Sequence, residues 1–164
     1  MKIPVLVLAS GILAATGVIS SAQTAGEQKM FTPQEIKWSP GPASLPAGAE
    51  MAVLYGDASK EELFAMRLKV PKGYRIAPHS HPKPEVTTVL SGTARLGMGE
   101  TADPAKAHVF SAGSLWVNPP GMVHYFSADE DTVVQVNSIG PWGITYVNEK
   151  DDPRKNTMGS GPGR

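Results

Sequence analysis

The sequence contains no cysteine. Disulfide bonds, a thiolate nucleophile and thiolate metal ligands are therefore all excluded, and any metal ion must be held by nitrogen and oxygen atoms. Stability must come from the packed interior, which a chain of 164 residues is long enough to provide.

The sequence also lacks an excess of charge of either sign, since 15 basic residues balance 15 acidic ones. No basic stripe or arginine-rich tract is present, which argues against a nucleic-acid partner.

Long amphipathic helical patterns are missing, whereas glycine (17) and proline (15) are abundant. Strand-length apolar runs recur at intervals of roughly ten residues with turn signals between them, which predicts an all-β sandwich or barrel. The segment ELFAMRLKVP shows the pattern most clearly, because Phe64, Met66, Leu68 and Val70 alternate with smaller or charged residues. This alternation argues against a helix in ASKEELFAM, and Ser91-Gly92 is interpreted as the turn of a hairpin.

The N-terminus has the pattern of a secretory signal peptide. Lys2 precedes an apolar run that ends at Ile19, and Ser20 and Ala22 are small residues suited to cleavage after Ala22. The alternative, a membrane anchor, would need about 20 strongly apolar residues, whereas Ala, Gly, Ser and Thr dilute this run. We expect Sec-type export of residues 23–164 to the periplasm or the medium, with no membrane attachment after cleavage.

Composition divides the exported part into three segments. Residues 23–50, rich in Pro, Gly and Ala, are predicted to be an extended arm with one short strand near 36–38. Residues 51–149 carry the β pattern and are predicted to form the barrel. Residues 150–164 are polar and without periodicity, which predicts a disordered tail.

Two of the four histidines lie in the segment HSHPKPE, and this is the main functional signal. His79 and His81 are two residues apart, so an extended strand would place both imidazoles on one face, close enough to bind one ion. Glu85 has the same parity, and the intervening prolines keep the segment extended. An exposed polar turn is the alternative interpretation. His124 would complete the site if its segment lies beside the first.

The glycines around these residues complete two spaced patterns. The first runs from Gly73 through His79, His81 and Glu85 to Gly92, and the second from Gly113 through Pro119 and Gly121 to His124. Both resemble the signature motifs of the cupin superfamily. One departure is Ala128, where cupins often have an asparagine that is not a metal ligand.

The resemblance implies a cupin-type double-stranded β-helix, or jelly-roll barrel, with a metal ion inside. It implies His79, His81, Glu85 and His124 as the ligands, with positions left open for water or substrate. The ion would be a divalent transition metal (Zn, Cu, Fe, Mn or Ni), and folding outside the cytoplasm would favour copper and zinc. His108 matches neither motif and is expected at the surface, while the four glycines and Pro119-Pro120-Gly121 are expected in turns.

The pocket above the metal is predicted to be mostly apolar. The candidates for its lining are Met66, Met98, Trp116 and Phe126. Leu68, Val89, Leu96, Val117 and Met122 are further core candidates, and Tyr74, Arg75, Tyr125 and Trp142 are candidates for polar or stacking contacts.

Three functions remain open from the sequence. The first is an oxygenase that acts on a small molecule, such as an aromatic compound or a keto acid. The second is a non-redox metal-dependent isomerase or lyase, and the third is a periplasmic cupin that binds or senses a small molecule without catalysis. The resemblance also implies a possible homodimer.

Overall fold

A computed structural model describes residues 28–156 of the chain. The predicted signal peptide, residues 1–22, and the last residues of the predicted tail, 157–164, lie outside the described residues. No helix within residues 28–156 has the length and hydropathy of a membrane span.

The described residues form eleven strands, three short 3-10 helices and one short α-helix. The 3-10 helices are Pro33–Glu35, Pro104–Lys106 and Glu149–Asp151, and the α-helix, α1, is Pro153–Asn156. The strands are β1 (Ser39–Pro40), β2 (Glu50–Tyr55), β3 (Leu63–Val70), β4 (Arg75–Ser80), β5 (Glu85–Ser91), β6 (Thr93–Met98), β7 (His108–Ser111), β8 (Leu115–Asn118), β9 (His124–Ala128), β10 (Thr132–Ile139) and β11 (Thr145–Tyr146).

The strands make two antiparallel sheets. One has the order β1-β2-β3-β10-β5-β8 and the other has the order β11-β4-β9-β6-β7. Inward-facing residues of both sheets, such as Phe64 and Leu96, join in one apolar core. The predicted all-β, jelly-roll class of fold is therefore confirmed.

Strand β3 has the predicted alternation, because its four inward residues from Phe64 to Val70 are buried while those between them are partly exposed. No helix forms in residues 58–62, which lead into β3, as predicted. The period of two is a property of the backbone of a strand, so the pattern can be read without the fold.

The predicted hairpin at Ser91-Gly92 is wrong. Strands β5 and β6 are consecutive, but β5 pairs with β10 and β8 in one sheet, while β6 pairs with β7 and β9 in the other. Gly92 therefore turns the chain from one sheet to the other, with φ of +78°. A hairpin turn and a corner between two sheets have the same local sequence signal. Only the pairing with distant strands distinguishes them.

The N-terminal arm lies on the chain's own barrel. Its short strand is Ser39–Pro40, shifted from the predicted position, and Leu45 is buried in the core. The hydroxyl of Tyr74 donates to the carbonyl of Pro46 (2.7 Å), and that of Tyr146 donates to Ser44 (2.8 Å). These bonds fix a segment whose own sequence has little regular pattern.

The predicted disorder of the tail is wrong for residues 150–156, which form part of a 3-10 helix and α1. Arg154 donates to the carbonyl of Ile144 (3.2 Å) and to the buried carboxylate of Asp152 (2.7 Å). Hydrogen bonds to the barrel therefore order a segment that has too few apolar residues to predict it.

Most of the predicted core residues are buried, but Val117 and Met122 are not. Val117 is 52% exposed and Met122 is 39% exposed. In β8 the inward side chains are Trp116 and Asn118, so Val117 points outward. Hydrophobicity alone indicated the wrong face at this strand.

Candidate metal centre

Three histidines converge at one end of the barrel. His79 is near the end of β4, His81 follows this strand, and His124 begins β9. Strands β4 and β9 are neighbours in which His79 pairs with His124, so the fold joins the two sequence motifs. One ring nitrogen from each of the three lies within 4.8 Å of the others, and all three side chains are buried.

The other nitrogen of each ring is held by a backbone carbonyl. The Nδ1 atoms of His79, His81 and His124 lie 2.8 Å from Ala77 O, 2.7 Å from Gly143 O and 3.0 Å from Met122 O, respectively. Because a carbonyl only accepts, each Nδ1 carries the proton. A neutral ring then presents the lone pair of Nε2, which is the arrangement that orients metal-binding histidines.

Burial keeps the three rings neutral. It lowers the pKa of His79 to about 2, with further lowering from His124 and His81. Burial also lowers the pKa of His81 and that of His124. The three imidazoles therefore need to lose no proton in order to bind a metal at neutral pH.

Glu85, the first residue of β5, completes the cluster from the opposite sheet. Its Oε1 lies 3.7 Å from Nε2 of His81, and its Oε2 lies 3.6 Å from Nε2 of His124. Burial raises the pKa of this carboxyl, while His124 and Asn118 act in the opposite direction. The side-chain amide of Asn118 donates to Oε2 (2.8 Å) and orients the carboxylate.

This donor set fits a divalent transition metal. Three neutral imidazole nitrogens and a carboxylate form an N₃O group that iron, manganese, nickel, copper and zinc all accept. The Nε2 lone pairs of His81 and His124 face the buried carboxyl group of Glu85, an arrangement that a cation would stabilise.

A tight turn ties the two motifs together. The N–H of Gly121 donates to the carbonyl of His81 (2.8 Å), and that of Met122 donates to Pro119 (3.2 Å). Gly121 has φ of +75°, and Gly73, Gly92 and Gly113 also have positive φ, so the predicted turn roles of the glycines are confirmed. Ala128 is buried and donates its N–H to the carbonyl of Tyr74 (3.0 Å), away from the histidine cluster.

Trp142 supports His81 from the other side. Its ring stacks on the imidazole with centroids 4.5 Å apart and planes 12° apart, and the next residue, Gly143, binds the His81 ring through its carbonyl. The sequence predicted stacking by Trp142 but gave no partner for it. His108, by contrast, is exposed, as expected.

A narrow cavity lies between the sheets beside His79, Glu85 and His124, with about 40 Å³ of space for water-sized molecules. Trp116 and Phe126 line it, and the arm contributes Leu45. Met66 is buried but faces a separate groove on the other side of Leu45 and Leu68.

Met98, the fourth pocket candidate, ends β6 with half of its surface exposed and is not part of the cavity lining. Its parity is that of buried Leu96, but parity does not tell how far along a strand a cavity extends. Sequence reasoning missed Leu45, Thr87 and Asn118. Of these, only Thr87 had a readable signal, because it follows Glu85 by two residues on the same face of β5.

No curated protein shows significant sequence similarity to this chain. Among solved structures, KdgF from a Halomonas species is 19% identical, with a TM-score of 0.54 over 69% of this chain and 94% of that one. The polyketide cyclase RemF from Streptomyces resistomycificus is 17% identical, with a TM-score of 0.58 over 80% and 94% of the two chains.

A third similar structure is a single-residue mutant of salicylate 1,2-dioxygenase from Pseudoaminobacter salicylatoxidans in complex with gentisate. It is 14% identical, with a TM-score of 0.52 over 65% of this chain and 32% of that one. At these identities the three structures share the fold with this chain. The sequence of residues 66–140 matches the cupin domain family. The chain therefore carries a cupin domain over these residues.

Proposed function

We propose that this protein is a metal-dependent oxygenase that acts on a small molecule bound in the cavity beside His79, Glu85 and His124. The observation that carries this proposal is the convergence of three buried imidazoles and a carboxylate beside a largely apolar cavity. A redox metal held there supplies the electron transfer that activation of O₂ requires.

The side chains have separate tasks. His79, His81 and His124 would hold the metal through Nε2, and Glu85 would supply a negative charge that partly neutralises it. Asn118 holds Glu85, and Trp142 holds the ring of His81. Apolar residues such as Val134 and Phe126 exclude water from the space next to the metal.

The lack of a second acid–base group favours oxygenation over proton-transfer chemistry. Among the described residues that line the cavity, Tyr74 is the only titratable one apart from the proposed ligands. Burial raises the pKa of Tyr74, and its hydroxyl donates to the carbonyl of Pro46. An isomerase or lyase would need a positioned proton donor or acceptor, and the described lining offers none beyond the ligands.

The fold neighbours are compatible with this proposal. A dioxygenase is among them, but a cyclase is as well, and the identities are too low to transfer either activity. The proposal therefore depends on the site of this chain.

The test is oxygen uptake by metal-free protein reloaded separately with Fe(II), Mn(II), Ni(II), Cu(II) or Zn(II). A panel of small aromatic compounds and keto acids serves as substrate, and product is quantified by mass spectrometry. We expect uptake matched by product with a redox metal and no uptake with zinc. Turnover without oxygen uptake, with zinc as well as iron, would contradict the oxygenase and support the isomerase or lyase. Binding without turnover would support a non-catalytic cupin.

Export is a further part of the proposal, and it is supported by the signal-peptide pattern of residues 1–22. Fractionation of the producing cells should find the protein shortened at its N-terminus outside the cytoplasm. Full-length protein in the cytoplasm would contradict it.

A further inference from the structure

Two polar atoms of the cavity lining have no hydrogen-bond partner among the described residues. They are Oγ1 of Thr87 and Nε1 of Trp116, and both are buried. Both residues line the same cavity. A buried donor without a partner costs about 1–3 kcal/mol, so it calls for a partner such as a bound water or ligand.

The two residues are direct neighbours. Thr87 on β5 pairs with Trp116 on β8, and the next inward pair along the same two strands is Glu85 with Asn118. Paired residues on adjacent strands have side chains about 5 Å apart on the same face. Thr87 and Glu85 are two residues apart, which separates them by about 7 Å along the strand. The unpartnered atoms therefore lie one inward-facing position along the strands from Glu85.

The chemistry of the two atoms selects a ligand group. The indole N–H only donates, and the threonine hydroxyl donates or accepts, so together they suit an oxygen that accepts hydrogen bonds. The described cavity lining contains no lysine or arginine. Burying an anion without a cation is costly, so an uncharged oxygen fits better than a carboxylate at this depth.

We propose that Thr87 and Trp116 form a recognition site for an uncharged oxygen (ether, carbonyl or hydroxyl) on a small apolar substrate, one inward-facing position along β5 and β8 from Glu85 and Asn118. This assignment rests on the proposed function in one respect, namely that the cavity is the substrate site. It makes Thr87 and Trp116 specificity-determining residues rather than parts of the metal centre.

The test compares tetrahydrofuran with cyclopentane, two rings of similar size of which only the first has an oxygen. Each is titrated into zinc-loaded protein labelled with ¹⁵N at its tryptophans, and NMR follows the indole N–H of Trp116. This signal is identified by its loss in Trp116→Phe. We expect a saturable downfield shift with tetrahydrofuran, and with cyclopentane a weaker saturable change of the same signal that is not downfield.

Thr87→Val should weaken tetrahydrofuran binding about fivefold, the value of one hydrogen bond, and leave cyclopentane binding within about twofold. Thr87→Ser, which keeps the hydroxyl, should retain the preference for the ether. Thr88→Val is the matched control, because Thr88 is on the outward face of the same strand. Metal content should be unchanged in all three variants.

Three results would overturn the assignment. The first is equal binding of the two rings, and the second is an equal loss in Thr88→Val. The third is an ordered water only, seen as exchange between the Trp116 indole proton and a bound water that tetrahydrofuran does not displace. Because zinc-loaded protein is used without oxygen, failure of the oxygenase proposal would leave this test valid, and failure here would leave oxygen uptake untouched.

Discussion

At the scale of single residues, the candidate metal centre depends on side chains whose orientation is fixed by contacts with the rest of the protein. Each imidazole has its Nδ1 bound to a backbone carbonyl, and His81 is also stacked on Trp142. Such fixed rings lose little entropy when a metal binds, which favours a preformed site over one assembled by the ion.

Replacing His81 by Ala should remove most of the bound metal. Only three of the four proposed ligands then remain, and no other described side chain that lines the cavity can replace the lost nitrogen. His108→Ala is the matched control, since His108 is exposed and belongs to neither motif. Metal per chain is measured by plasma mass spectrometry after dialysis. A stoichiometry near one in His81→Ala, or a large loss in His108→Ala, would contradict the ligand assignment.

Asn118→Leu should weaken metal binding by about 10–100-fold, because Glu85 loses the hydrogen bond that orients its carboxylate. The control is Asn137→Leu, which changes the same residue type on the outward face of β10. Competition with a chelating dye gives the two affinities. If both variants bind metal as tightly as the wild type, the role given to Asn118 is wrong.

At the scale of elements, the critical feature is the corner between β5 and β6. A Cβ at Gly92 would lie 2.5 Å from the carbonyl oxygen of Asp131, in a backbone conformation with φ of +78°. The corner allows β5 to bring Glu85 from one sheet to the histidines of the other.

Gly92→Ala should therefore lower the free energy of unfolding by about 2 kcal/mol or more, since both φ strain and steric overlap are introduced. Gly73→Ala separates the two effects. Gly73 has φ of +79°, but an added Cβ there would meet no other atom, so only the φ strain remains. We expect a loss of about 1 kcal/mol there. Urea unfolding measures both variants, and equal losses would show that the overlap at Gly92 is relieved.

At the scale of the whole molecule, stability should depend on pH and on metal. In the metal-free protein, burial lowers the pKa of the three histidines below the ordinary value of 6.5, so the unfolded chain binds more protons than the native one in weak acid. Stability is then lost as pH falls below 6.5. The raised pKa of Glu85 changes stability with pH in the opposite direction, but it involves one proton, whereas the histidines involve three.

We expect the free energy of unfolding of the chelator-treated protein to be lower at pH 5 than at pH 7, with about 2 kcal/mol from His79 alone. Bound zinc should raise it at pH 7 and less so at pH 5, because a proton on Glu85, whose pKa is raised, competes with the metal at the native site. Urea titrations with and without zinc measure both effects. A metal-free midpoint that stays constant or rises on acidification would contradict the assignment of neutral, buried imidazoles.

Local chemistry was enough to predict the strands, the turn glycines and the grouping of His79 with His81, whereas His124 was added to them by the resemblance to cupins. Strand alternation, positive φ at glycine and the spacing of two histidines on one face are properties of short segments. The same local signals failed at Ser91-Gly92, at Val117 and at residues 150–156. There the outcome depends on which distant strand is the neighbour and on hydrogen bonds to it.

The sequence by itself thus predicted an all-β, cupin-type fold with a candidate N₃O centre, because the motifs are short and their spacing carries the chemistry. Only the tertiary structure decided what surrounds that centre. Asn118 meets Glu85 across two strands, Trp142 reaches His81 from a loop about 60 residues later, and Leu45 comes from the arm. Thr87 and Trp116 are far apart in the chain and become neighbours only through the pairing of β5 with β8.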